Sequence, residues 1–167
     1  MKFSKTTLST LSATVLGFLA LGIASTPASA ANTSTTFTVS ATVQATCVIA
    51  AGNLAFGTYT GAALPATSTI TVTCTNTTPY NVLLNPGATT GALVTTRQMK
   101  NGANLLNYSL FSNAGLTANW GQTIGTDTVA GTGSGATQTL TVYGNVPASQ
   151  YVVPGSYTDT VTATISY

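Results

Sequence analysis

Apolar and polar residues alternate along most of the chain with a period of two, the spacing that puts successive side chains on opposite faces of a β-strand. The longest such run lies at residues 36–47, "TFTVSATVQATC". Phe37, Val39, Ala41, Val43, Ala45 and Cys47 share one face, and Thr36, Thr38, Ser40, Thr42, Gln44 and Thr46 share the other. The run exceeds the roughly 5–6 residues of an ordinary strand. Shorter strands are expected at 54–60 with a bulge at Gly57, at 68–75 with Ile70, Val72 and Cys74 on one face, after a turn within 76–85, at 104–112 and at 137–146. The last run, 155–167, puts Tyr157, Asp159, Val161, Ala163, Ile165 and Tyr167 on one face. Residues 86–102 and 115–136 read as loop-rich, with a short strand near Trp120. Helical periodicity is absent after the first thirty or so residues, so the pattern predicts one all-β domain, a sandwich or a barrel.

The leading segment reads differently. Lys2 and Lys5 precede a mostly apolar run at 8–23, followed by Pro27 and the small-residue triplet Ala28-Ser29-Ala30. This is the pattern of a secretory signal peptide over residues 1–30, cleaved after Ala30. The Ser and Thr that break the apolar run argue against a transmembrane anchor, and no other stretch approaches the roughly 20 apolar residues a spanning helix needs.

Removing that segment changes the charge balance. The formal charge of +2 comes from four cations and two acids. Lys2 and Lys5 leave with the signal, and Arg97 and Lys100 then balance Asp127 and Asp159. No basic patch remains for nucleic acid or an anionic membrane. A surface of Thr, Ser, Asn and Gly with so little charge suits a protein packed against copies of itself or held outside the cell.

Cys47 and Cys74 are the only cysteines, which in an exported chain predicts a disulfide. It closes a loop of about 28 residues, worth on the order of 3 kcal/mol in the chain-entropy picture. A metal site lacks ligands, since there is no His or Glu and only two Asp. Catalysis lacks a base for a nucleophile, and nothing in the sequence pairs Asp127 with Asp159. The Gly-rich "GTGSG" at 131–135 lies outside any strand-to-helix context and reads as a hairpin loop, not a phosphate cradle. No catalytic residue, cofactor or metal is expected. Trp120 and the seven Tyr read as core and cross-strand aromatics before they read as a sugar platform.

Eight stretches carry a resemblance: "ATCVI" at 45–49, "LAFGTYT" at 54–60, "ITVTCT" at 70–75, "RQM" at 97–99, "LNYSLF" at 106–111, "NWGQ" at 119–122, "LTVYGNVPASQ" at 140–150 and "GSYTDTVTATISY" at 155–167. Their order, the two cysteines and the closing G-x-Y-x-D-x-V pattern ending in an aromatic resemble the spore coat protein U domain family. That family includes subunits of archaic chaperone–usher pili. The resemblance implies an incomplete immunoglobulin-like sandwich that lacks its last strand and is completed by donor-strand exchange with a neighbouring subunit. It divides the chain into a signal peptide (1–30), a donor-strand extension (31–45) and a pilin body (46–167). The partners it implies are copies of itself or related pilins, a periplasmic chaperone and an outer-membrane usher, with no nucleic acid. The destination it implies is the cell surface, reached through the periplasm, for attachment and biofilm formation.

Under that resemblance the run at 36–47 has its partner in another molecule, by β-strand addition. Phe37, Val39, Ala41 and Val43 are the donor side chains, and Val161, Ala163, Ile165 and Tyr167 form the groove edge that a chaperone holds. To fold back into its own groove the run would have to reverse near Gln44-Ala45-Thr46, where Gly, Asn, Asp and Pro are all missing. Two alternatives remain: a non-pilus surface or coat protein of the same family, and a monomeric sugar-binding sandwich. One domain's length is too short for a tip adhesin carrying an additional receptor-binding domain.

Overall fold

The structure is a computed structural model that describes residues 28–167, so most of the expected signal peptide lies outside the described residues. The chain divides into two units, one ending at Ser40 and one spanning Ala41–Tyr167. In the first, residues 28–40 carry no strand and are exposed throughout.

The second unit holds eight strands: β1 (Cys47–Ala51), β2 (Leu64–Cys74), β3 (Pro79–Leu84), β4 (Arg97–Asn101), β5 (Asn104–Phe111), β6 (Val129–Thr132), β7 (Thr137–Val146) and β8 (Ala163–Ser166). They form two antiparallel sheets, β1-β2-β7-β5-β4 and β6-β3-β8. The alternation selects the buried face. Ile70, Val72 and Cys74 of β2 and Val142 and Val146 of β7 are buried from one sheet, and Tyr80, Val82 and Leu84 of β3 from the other. Inner faces meeting in this way make a sandwich core, with the alternate Thr and Ser residues facing water.

The sheets are also joined by polar bonds. Trp120, fully buried, donates its indole N–H to the Val82 carbonyl of β3 at 2.8 Å, and its backbone N–H to Leu110 of β5 at 2.9 Å. Arg97 of β4 is fully buried as well. Its guanidinium donates to four backbone carbonyls: Asn85 at 2.9 Å, Val94 at 2.7 Å, Leu84 at 3.0 Å and Trp120 at 2.7 Å. Burial lowers its pKa to about 10, opposed by the fields of Tyr108, Asp159 and Asp127.

Several elements differ from the sequence pattern. Residues 36–46 form no strand, and only Cys47 belongs to β1. The cause is the length of the partner: β1 pairs with β2 from Cys47↔Cys74, and Cys74 is the last residue of β2. Residues 54–60 are irregular too, with Gly57 at φ 82°, a left-handed conformation that ends any ladder there. Strands β4 and β6 lie in stretches read as loops. Trp120 is flanked by one isolated bridge, Phe111↔Asn119, in place of a short strand. The closing run keeps its alternation, but it is laddered only at β8, with one bridge at Lys100↔Thr158, and Tyr167 is exposed.

Cys47 and Cys74 are joined by a disulfide across the β1–β2 pair. We expect no reactive thiol in the denatured, unreduced protein. A Cys47→Ala/Cys74→Ala double variant should lose about 3 kcal/mol in a urea titration. Replacing Arg97 with Met, which fills the volume and leaves the converging carbonyls without their donor, should cost about 3 kcal/mol or more in the same assay. Arg97→Lys should recover only part of that loss, because one ammonium cannot span the fork.

Candidate functional site: a groove between two open strand edges

Each sheet ends on an edge strand at this side of the sandwich. β1 pairs only with β2, and β8 pairs only with β3. The two edge strands approach each other across the sandwich without pairing. The direction of the open edge of β8 follows from its ladder. Asn85 donates its N–H to the Thr162 carbonyl at 3.1 Å, so Thr162 faces β3. By the alternation of antiparallel pairing, Val161 and Ala163 turn their backbone groups away from β3, toward the gap. An unpaired edge of this kind is a template for another strand.

Beneath the edges the core is open. A cavity of about 390 Å³ lies between residues 51–56 of the β1 side and residues 157–163 of the β8 side, with Ile70, Leu84, Tyr108, Leu110 and Val142 among its lining residues. A larger one of about 810 Å³ is bounded by residues 54–61 and 150–157, with Leu106 and Val146 contributing. Leu54, Phe56, Met99 and Tyr157 line both, so the two cavities adjoin along one groove. Phe56 sits edge-on to Tyr108, with ring centroids 5.9 Å apart. It occupies the space above Gly144, where a Cβ would come within 2.8 Å of the ring, so β7 needs glycine there.

Hydrogen bonds hold the walls. Tyr59 donates to the Pro147 carbonyl at 2.7 Å and accepts from the Gln150 N–H at 3.0 Å. The Gln150 side chain bonds both backbone groups of Asn107, and Tyr157 donates to Val153 at 2.7 Å. On the other wall Tyr108 donates to Asp159 Oδ2 at 2.6 Å. Burial, with that bond next in size, pushes the Tyr108 phenol well above its ordinary range, so it stays a donor.

The expected groove-edge residues fall in two sets. Val161 and Ala163 line the smaller cavity. Ile165 packs half-buried against the core beyond it, and Tyr167 is exposed. The expected donor residues are all exposed: Phe37 at 86%, Val39 at 81%, Val43 at 85%, and Ala41 as well. The two carboxylates serve separate turns, Asp127 accepting from the Thr123 N–H and Asp159 from Ala88 and Tyr108. Among the described residues no three His, Cys, Asp or Glu cluster to hold a metal. The groove therefore offers apolar volume and backbone hydrogen bonds, the recognition chemistry of an extended peptide.

Some groove residues escaped the sequence pattern. Leu54 and Phe56 alternate visibly, yet their stretch reads as a strand of the sheet instead of a groove wall. Met99 lies in a stretch read as loop, and its signals are the Arg97–Met99 spacing and its place in the "RQM" stretch.

A family model described as the Spore Coat Protein U domain matches residues 33–164. Protein U of Myxococcus xanthus is 34% identical over 163 aligned residues, covering 87% of this chain and 90% of that protein. A solved chain from the CsuC–CsuE chaperone–tip adhesion subunit pre-assembly complex, of the archaic chaperone-usher Csu pili of Acinetobacter baumannii, matches with a TM-score of 0.56 at 28% identity. The match covers 75% of this chain and 40% of that one, so the present chain spans less than half the length of its structural neighbour. An all-β, immunoglobulin-like sandwich with these motifs in this order is what such matches require, and the chain belongs to the Spore Coat Protein U domain family.

Proposed function

We propose that the chain is a structural subunit of a chaperone–usher surface pilus that polymerises by donor-strand complementation and serves attachment and biofilm formation. In this reading residues 1–30 are a signal peptide, 31–45 the donor extension and 46–167 the pilin body. The chain is exported through the periplasm to the cell surface, with a periplasmic chaperone, an outer-membrane usher and copies of itself or related pilins as partners. The observation that carries the reading is the groove between the open edges of β1 and β8, with a cavity of about 390 Å³ between the two sides and one of about 810 Å³ adjoining it. A second support is the exposed stretch at 37–43, whose apolar side chains alternate at strand spacing.

The energetics support a lasting joint. Phe37, Val39 and Val43 each gain about 1.5–3 kcal/mol on full burial. Their backbone satisfies the N–H and C=O groups that both edges leave open. A head-to-tail contact of this kind does not close on itself and builds a fibre. A second reading, a surface coat protein using the same contact, has the family's own description in its favour.

Co-expression with and without the chaperone, followed by electron microscopy, tests the reading: fibres should appear only with the full export machinery. Monodisperse secreted monomer without a chaperone would count against it. A chain truncated before Gln44 should fold with the chaperone and accept a donor strand yet pass none on, so that it ends fibres. Fibres of normal length from that chain would rule out the extension as the link. An Ile165→Asp/Tyr167→Asp variant should lose the chaperone complex in pull-down, and an unchanged complex would remove those two residues from the contact.

A further inference from the structure

The strand side of the groove wall has a gap in its support. Thr158 is held by paired backbone bonds to Lys100 of β4, at 2.8 and 3.1 Å. The β3 ladder begins only at Ala163, with Thr162 tied to Asn85 just before it. Residues 159–161 lie between two sheets and belong to neither ladder. Yet Asp159, Thr160 and Val161 line the smaller cavity. In the donor-strand reading an entering strand runs past this stretch, and a stretch without ladder partners would have to be ordered at the moment of pairing.

The Asp159 side chain stands where the ladder is missing. Its Oδ1 accepts the Ala88 N–H at 2.8 Å and the Thr160 N–H at 2.8 Å. Its Oδ2 accepts the hydroxyl of Tyr108, a buried residue of β5. The turn at 86–88 closes tightly on the carboxylate, and a Cβ on Gly87 would collide with it. One side chain thus ties the wall to the turn after β3 and to the floor of the groove. Carboxylate acceptors make shorter and stronger bonds than neutral ones.

We propose that Asp159 is a positioning residue that holds residues 159–161 in strand-accepting shape before a donor strand arrives. The proposal rests on the donor-strand reading above and assigns the residue that makes the groove ready for it. Pre-ordering of this kind acts on the rate of capture. Once a strand is seated, its own ladder holds the wall and the carboxylate is no longer needed for that purpose.

The test measures binding of a fluorescent peptide of residues 34–46 to the full exported chain by stopped flow, with association and dissociation read separately. Asp159→Ala should associate at least tenfold more slowly and dissociate within twofold of wild type. Asp159→Asn should return association to within threefold, because its remaining oxygen can keep the Ala88 and Thr160 bonds. Tyr108→Phe, which removes one hydroxyl from an otherwise intact core, should slow association about threefold and takes the place of Asp159→Ala if that variant does not fold. Wild-type association in Asp159→Ala or, where that variant does not fold, in Tyr108→Phe overturns the proposal. So does an effect confined to dissociation, or a failure of Asp159→Asn to rescue. If the wild-type chain captures no peptide, the donor-strand reading fails and this proposal fails with it.

Discussion

Four backbone carbonyls, from Leu84, Asn85, Val94 and Trp120, converge on the single guanidinium of Arg97. The fork is planar, always charged over the physiological range and matched to several acceptors at once, which no other side chain offers. It fastens the last residue of β3 to the Trp120 segment, and so fastens one sheet to the other. The need for such a fastening follows from the groove. A sandwich with open volume between two of its edges has lost part of the apolar contact that usually holds its sheets together. Polar bonds at Arg97 and Trp120 hold the two sheets together beside the groove.

The low charge of the chain acquires a local meaning in this light. Of the four charged side chains after residue 30, Arg97 is buried in the core and both aspartates are engaged with loop backbone. Charge here is used as an internal connector more than as a surface coating. What coats the surface is the outward half of each alternation, Thr and Ser above all. A surface with so little charge offers little repulsion to keep open edges from non-specific pairing.

The class of fold was legible because alternation is a local property: Ile70-Val72-Cys74 and Val142-Val146 bury the side that the pattern selects. Strand ends were not legible, because a ladder stops where the partner stops. Nothing between Thr36 and Cys47 encodes that β2 finishes at Cys74. β4 was missed because its inward residues are Arg97 and Met99, and a buried arginine looks like a solvent-facing one until the carbonyls around it are known. The groove was half legible. On its β8 side Val161 and Ala163 lie on the closing alternation, while Ile165 and Tyr167 of the same run fall outside the cavity. Its other side runs through Leu54 and Phe56, which lie past Ala51, the last residue of β1, and outside both sheets. Periodicity carries no record of that departure.

The disulfide lies at a mechanically telling place. Cys47 begins β1, directly after the residues that precede the sheet, and is bonded to the last residue of β2. Tension applied through Thr46 therefore reaches β2 through a covalent bond, without first peeling β1 from its edge. β2 in turn shares ten consecutive residue pairs with β7, from Leu64↔Val146 to Thr73↔Thr137. Force along the axis of β2 loads those rungs in shear, all together. Force across the edge would instead open a ladder like a zipper, one rung at a time. The cross-link therefore passes a pull applied at Thr46 into β2 and so into the longest ladder among the described residues.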